Sequence, residues 1–136
     1  MVIWVTGKAN AGKTTLAKKL NNIIPNSIIL DGDDIRNIIK SGFDDKSRFE
    51  HIIRIAKMAA VFENQKLIPI IALVSPIKMW RDEARKLFKE SLLYYIPGGD
   101  LWAGTKFEIP DEEELKPRLI IKDNKKKKGT YDWKEN

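Results

Sequence analysis

The sequence has no cysteine, so it forms neither disulfides nor thiolate metal sites, and a reducing cytoplasmic setting is expected. No apolar run approaches the ~20 residues that span a bilayer, so no membrane role is expected. The N-terminus passes directly into an apolar stretch, so no signal peptide is expected. Acidic residues are outnumbered, giving a formal charge of +6, yet Lys125-Lys128 alone supply four of those charges. Without them the body is nearly balanced, so basicity by itself does not indicate nucleic-acid binding. The run lies in a polar stretch, Lys122 to Asn136, expected to be a flexible tail. Contact with nucleic acid or another polyanion is its alternative use. With 136 residues and 43% hydrophobic content, residues 1–121 are expected to form one domain with a real core.

Against these absences stands Gly7-Lys8-Ala9-Asn10-Ala11-Gly12-Lys13-Thr14, which fits G-x-x-x-x-G-K-[ST]. Val2-Ile3-Trp4-Val5 before it reads as a buried strand, and Thr15-Leu16-Ala17-Lys18-Lys19-Leu20 after it as a helix. Glycines let the backbone curl so that successive N–H groups face one phosphate, and the following helix N-terminus favours an anion. Gly7 to Thr15 are therefore expected to hold a nucleoside triphosphate, ATP. Lys13 would reach its β- and γ-phosphates, and Thr14 would hold Mg²⁺.

Strands and helices alternate along the rest of the domain. Ser27-Ile28-Ile29-Leu30 is a second strand ending at Asp31, and a short helix opens at Asp33-Asp34 with either acid as its cap. A long helix is predicted from about Ser47 to Asn64, with Phe49, Ile52, Ile53, Ala56, Ala60 and Met58 toward the core. Leu67 to Val74 reads as a central parallel strand, Met79 to Glu90 as a helix, and Leu92-Ile96 and Leu119-Ile121 as the fourth and fifth strands. The fold class is α/β: a P-loop NTPase-type parallel sheet of about five strands flanked by helices in three layers.

Ligands of such sheets gather beyond the carboxyl ends of the strands. That rule groups the phosphate loop with Asp31-Gly32-Asp33 and Ser75-Pro76. Phosphoryl transfer needs positioning, charge neutralisation and one carboxylate near the accepting hydroxyl. Asp33 is assigned to orient or deprotonate the acceptor and to hold a metal-bound water, although a capping role can coexist. Asp31 is assigned as a supporting or substrate-binding carboxylate. The third strand ends without an acid, so metal binding falls to Thr14 and this pair.

These residues resemble adenylyl-sulfate kinases, the enzymes that phosphorylate the 3′-hydroxyl of adenosine 5′-phosphosulfate. The resemblance rests on the loop, Leu30-Asp31-Gly32-Asp33-Asp34-Ile35-Arg36, Gly42-Phe43 with Arg48 and Arg54, and Val74-Ser75-Pro76 with Arg81-Asp82-x-Ala84-Arg85. It runs from Met1 to about Phe88, with a faint echo at Gly104-Pro110. It implies that Asp33 serves metal and acceptor, and that Arg36, Phe43, Arg48 and Ser75 contact substrate. His51 stands where the family usually has Asn, and Lys78 where arginine is common; both are carried as substrate contacts. The family's basic lid and adenine-side segment after the fourth strand is absent, which leaves the acceptor site open. Trp102 or Trp80 could stack on a base in its place. Three functions stay open: a kinase of adenylyl sulfate or a similar nucleotide, a kinase of a hydroxyl in nucleic acid such as hydroxymethylated DNA, or a nucleotide-binding module without transfer. The oligomeric state is not legible.

Overall fold

The computed structural model describes residues 1–102 and 104–120. The expected tail, its Lys125-Lys128 run and the domain boundary at residue 121 lie outside them. Nine elements follow in order: β1 (Val2–Gly7), α1 (Lys13–Ile23), β2 (Ser27–Asp31), α2 (Gly32–Ile38), α3 (Asp45–Asn64), β3 (Ile68–Leu73), α4 (Lys78–Arg85), β4 (Glu90–Ile96) and β5 (Arg118–Leu119). Among the described residues no helix is long and apolar enough to cross a membrane.

The sheet order is β2-β3-β1-β4-β5. β1 is buried along its whole length and pairs in parallel with β3 on one side (Val5 opposite Ala72) and β4 on the other (Val5 opposite Tyr94). A strand covered on both faces has no polar side, which is why Val2-Ile3-Trp4-Val5 shows no alternation. The chain steps one way from β1 to β2 and the other way through β3 to β4. Right-handed crossovers then require helices on opposite faces. The two apolar clusters confirm the three layers: Ala17 of α1 lies with Ile3, Ile70 and Ala72, while Ile55 and Ala59 of α3 lie with Trp4, Ile71 and Phe88.

Three sequence expectations need correction. β5 is antiparallel to β4, with Glu90 opposite Leu119, so the sheet is mixed at one edge. The buried stripe of α3 is Ile52, Ile55, Ala56 and Ala59, one step round from the predicted face; Ile53, Met58 and Ala60 are only partly covered. The discrepancy arises because α3 also buries polar groups, His51 and Glu63, which hydrophobicity cannot flag. Glu63 accepts the backbone N–H groups of Lys89 (2.8 Å) and Glu90 (3.1 Å), fastening α3 to the start of β4. Finally, α2 is capped by neither Asp33 nor Asp34. Asp31 caps it, accepting the N–H groups of both.

The rotated stripe is testable by urea unfolding. Ile55→Ala, at a fully buried position, should cost about 2–5 kcal/mol. Val61→Ala, at an exposed position on the same helix, should change stability by about 0.5 kcal/mol or less.

Candidate active site

One cleft of about 610 Å³ opens at the carboxyl ends of β1, β2 and β3. Ala9, Asn10, Gly12, Lys13, Thr14 and Thr15 line one wall, Asp31, Asp33 and Arg36 a second, and Val74, Ser75 and Pro76 the floor; Phe43, Arg48, His51 and Trp102 are among the other lining residues. The phosphate loop and the acids thus face one space.

The loop's shape follows from its glycines. Gly12 has φ 104°, a left-handed conformation that a side chain would strain. A Cβ on Gly7 would come within 2.8 Å of the Ile96 carbonyl oxygen, because β4 passes directly against the loop. No side chain caps α1, so the N–H groups of its first turn have no intrahelical acceptor and are left for a ligand. Lys13 Nζ donates to the Lys8 carbonyl at 2.7 Å. Burial lowers the Lys13 ammonium below its usual value, against the pull of Asp33 and Asp31.

Asp31 stands at the centre. Its Oδ2 accepts from the Thr14 hydroxyl at 2.6 Å, while its Oδ1 caps α2. Of the Asp31/Asp33 pair assigned with Thr14 to the metal, Asp31 is the one that the Thr14 hydroxyl meets. The Asp33 carboxylate takes no hydrogen bond among the described residues. Burial lowers the Arg36 guanidinium as it does the Lys13 ammonium, and the Asp33 carboxylate opposes the shift at both. An oxygen pair at Thr14 and Asp31, with Asp33 beside it, suits Mg²⁺, a hard cation that binds one or two carboxylates and takes its other ligands from phosphates and water. Among the described residues no group of three or more acids or imidazoles forms a self-sufficient metal cage.

The acceptor side is basic and aromatic. Arg36 donates to the carbonyls of Ser41 (3.2 Å) and Gly42 (3.0 Å) and lies 4.5 Å over the Phe43 ring. Phe43 in turn meets Trp102 at 6.1 Å between centroids, and both rings are more than half exposed at the rim. Trp80, the other tryptophan considered for stacking, packs on Phe49 instead.

Two expected substrate contacts are placed otherwise. The Ser75 hydroxyl is buried, donating to Leu73 O (3.1 Å) and bonded to Thr6 Oγ1 (2.7 Å) and Trp4 Nε1 (3.2 Å). It braces the floor, and its residue has a left-handed φ of 38°. Lys78 does not line the cleft; its ammonium pairs with Asp82 at 2.9 Å on α4. Sequence reasoning also missed the segment after β4. Asp100 donates its N–H to Ala9 O (2.7 Å) and accepts from Asn10 Nδ2 (2.9 Å), with Gly99 in a left-handed turn so close that a Cβ would lie 2.5 Å from Ala9 O. Paired glycines at 98 and 99 were the available signal.

His51 is 2% exposed, with Nε2 donating to Gly32 O at 3.2 Å and Nδ1 without a partner. Burial, then the Arg36 and Arg54 cations, push the imidazole below 6.5, opposed by the Gly32 carbonyl and Asp33. The sign follows: on acidification the unfolded chain takes up this proton first, so stability is held above pH ~6.5 and lost below it. His51→Asn should flatten the fall in Tm between pH ~6.5 and ~5, measured by calorimetry at several pH values.

Comparison with known proteins identifies relatives of this chain. The family model for adenylylsulphate kinase matches residues 1–98. The adenylyl-sulfate kinase of Prochlorococcus marinus is 40% identical over 97 residues, 67% of this chain and 48% of that protein. The probable adenylyl-sulfate kinase of Archaeoglobus fulgidus is 37% identical over 100 residues, 69% of this chain and 64% of that protein. Among solved structures, the hexameric APS kinase from Thiobacillus denitrificans superposes with a TM-score of 0.64 at 25% identity, covering 69% of this chain and 21% of the other. The chain spans about half the length of the first curated relatives it matches.

Proposed function

The chain belongs to the adenylylsulphate kinase family, and from that premise we propose that it transfers the γ-phosphoryl group of ATP to the hydroxyl of adenosine 5′-phosphosulfate or a closely similar nucleotide. The observation that carries this reading is the shared cleft, in which the Lys13 loop and the unbonded Asp33 carboxylate face the same space.

The loop N–H groups and the first turn of α1 would cradle the triphosphate. Lys13 would exchange its contact with Lys8 O for the γ-phosphate, a swap helped by the two nearby carboxylates that keep it charged. Thr14 and Asp31 would hold Mg²⁺, which would neutralise charge on the β- and γ-oxygens. Asp33 would accept the proton of the attacking hydroxyl as the new O–P bond forms and the bond from the γ-phosphorus to the β–γ bridging oxygen breaks, leaving ADP. Arg36 and Arg48 would pair the anionic oxygens of the acceptor's phosphosulfate, a match for planar guanidinium groups. Phe43 and Trp102 would offer apolar faces to its base. His51, with Nε2–H committed to Gly32, would present only an acceptor at Nδ1.

Purified protein, labelled ATP and adenylyl sulfate test this directly: label should appear on the acceptor, and ATP consumed without labelled acceptor would reject the reading. Lys13→Ala should abolish transfer. Asp33→Asn should lower kcat by a factor on the order of 10²–10⁴ while ATP binding, followed by calorimetry, changes little. Asp31→Asn should instead weaken Mg²⁺ binding, raising the metal concentration needed for half-maximal rate.

A further inference from the structure

Arg81 lies on α4, fully buried and outside the cleft lining. Its Nε and one terminal nitrogen bind both oxygens of Glu114, at 2.9 and 3.1 Å. Its other terminal nitrogen donates to Ser75 O at 2.8 Å, and the first also reaches Glu108 O at 2.8 Å. One rigid fork thus joins three separate parts of the chain: the floor turn, the 107–108 segment and the turn at Glu114.

What it joins belongs to the cleft. Ser75 holds a left-handed backbone, a conformation that persists only where its surroundings over-determine it. Glu108 is fastened to that turn from its own side, its N–H donating to Pro76 O at 2.7 Å and its carboxylate accepting Lys78 N–H at 2.8 Å. Just before it, Thr105 N–H donates to Trp102 O at 3.0 Å, and Trp102 meets Phe43 at the rim. A fully buried ion pair is weak evidence for stability, because desolvation offsets the attraction. What a bidentate guanidinium supplies is direction.

We infer that Arg81 and Glu114 are positioning residues, which hold the Ser75 turn, residues 104–108 and Trp102 in one register so that the acceptor meets a preformed aromatic rim. The kinetic part of this inference rests on the acceptor proposed above; the placement of Trp102 does not.

Glu114→Gln breaks the bidentate pairing at nearly constant volume. The acceptor KM should rise about tenfold, the scale expected when a binding group is displaced by a fraction of an ångström, while the ATP KM stays put. Trp102→Ala should raise the acceptor KM comparably, and adding Glu114→Gln to it should cost nothing more. In protein labelled with 5-fluorotryptophan, the Trp102 fluorine resonance, assigned through Trp102→Phe, should move in Glu114→Gln. Glu114→Asp keeps the charge but shortens the reach, should give intermediate shifts in both readouts, and serves if the glutamine variant does not fold. An unmoved resonance, equal rises for both substrates or full additivity with Trp102→Ala would overturn the inference. If the wild type labels no adenylyl sulfate, the acceptor reading fails, and the fluorine resonance still decides the positioning claim.

Discussion

The site depends on one carboxylate whose two oxygens face different elements. Asp31 ends β2, caps α2 with Oδ1 and receives the Thr14 hydroxyl on Oδ2. β2 is separated from β1 by β3, so the helices that follow them start from strands that are not neighbours. The Thr14–Asp31 bond bridges that gap, fixing the start of α1 relative to the start of α2. Once it is in place, Lys13 and Asp33, one residue before Thr14 and two after Asp31, face the same cleft.

Much of this arrangement was legible in the sequence because its signals are local. The phosphate loop announces itself through glycine spacing, and a fully apolar β1 announces a central strand. The rule that ligands collect at the carboxyl ends of parallel strands then brings Asp31 and Asp33 to the loop without knowledge of any contact. The division of labour between the two acids was less legible. Capping depends on where the helix begins, and because α2 starts at Gly32 the cap is Asp31 and not Asp33 or Asp34.

Long-range polar contacts were not legible. Nothing in Arg81 or Glu114, 33 positions apart, shows that they meet in a place without water. Arg85 behaves alike: it donates to Ser91 and to the carbonyls of Glu114 and Lys116, and burial first, then Arg118, brings its guanidinium down to about 10. Ser75 was read as a ligand-facing hydroxyl for the same reason, since its bonds to Trp4 and Thr6 join residues about seventy positions apart. Hydrophobic periodicity carries no information about such pairs, and they decide how the chain beyond β4 lies against the sheet.

The bridge between Ala9 and Asp100 gives that chain a thermodynamic connection to the loop. Coupling between two sites is reciprocal: any factor by which a phosphate ligand on the loop changed affinity at the aromatic rim, a rim ligand would return to phosphate affinity. At Asp100 the loop and the rim segment are thus tied by one main-chain and one side-chain hydrogen bond, a direct path for such a coupling with no hinge in it.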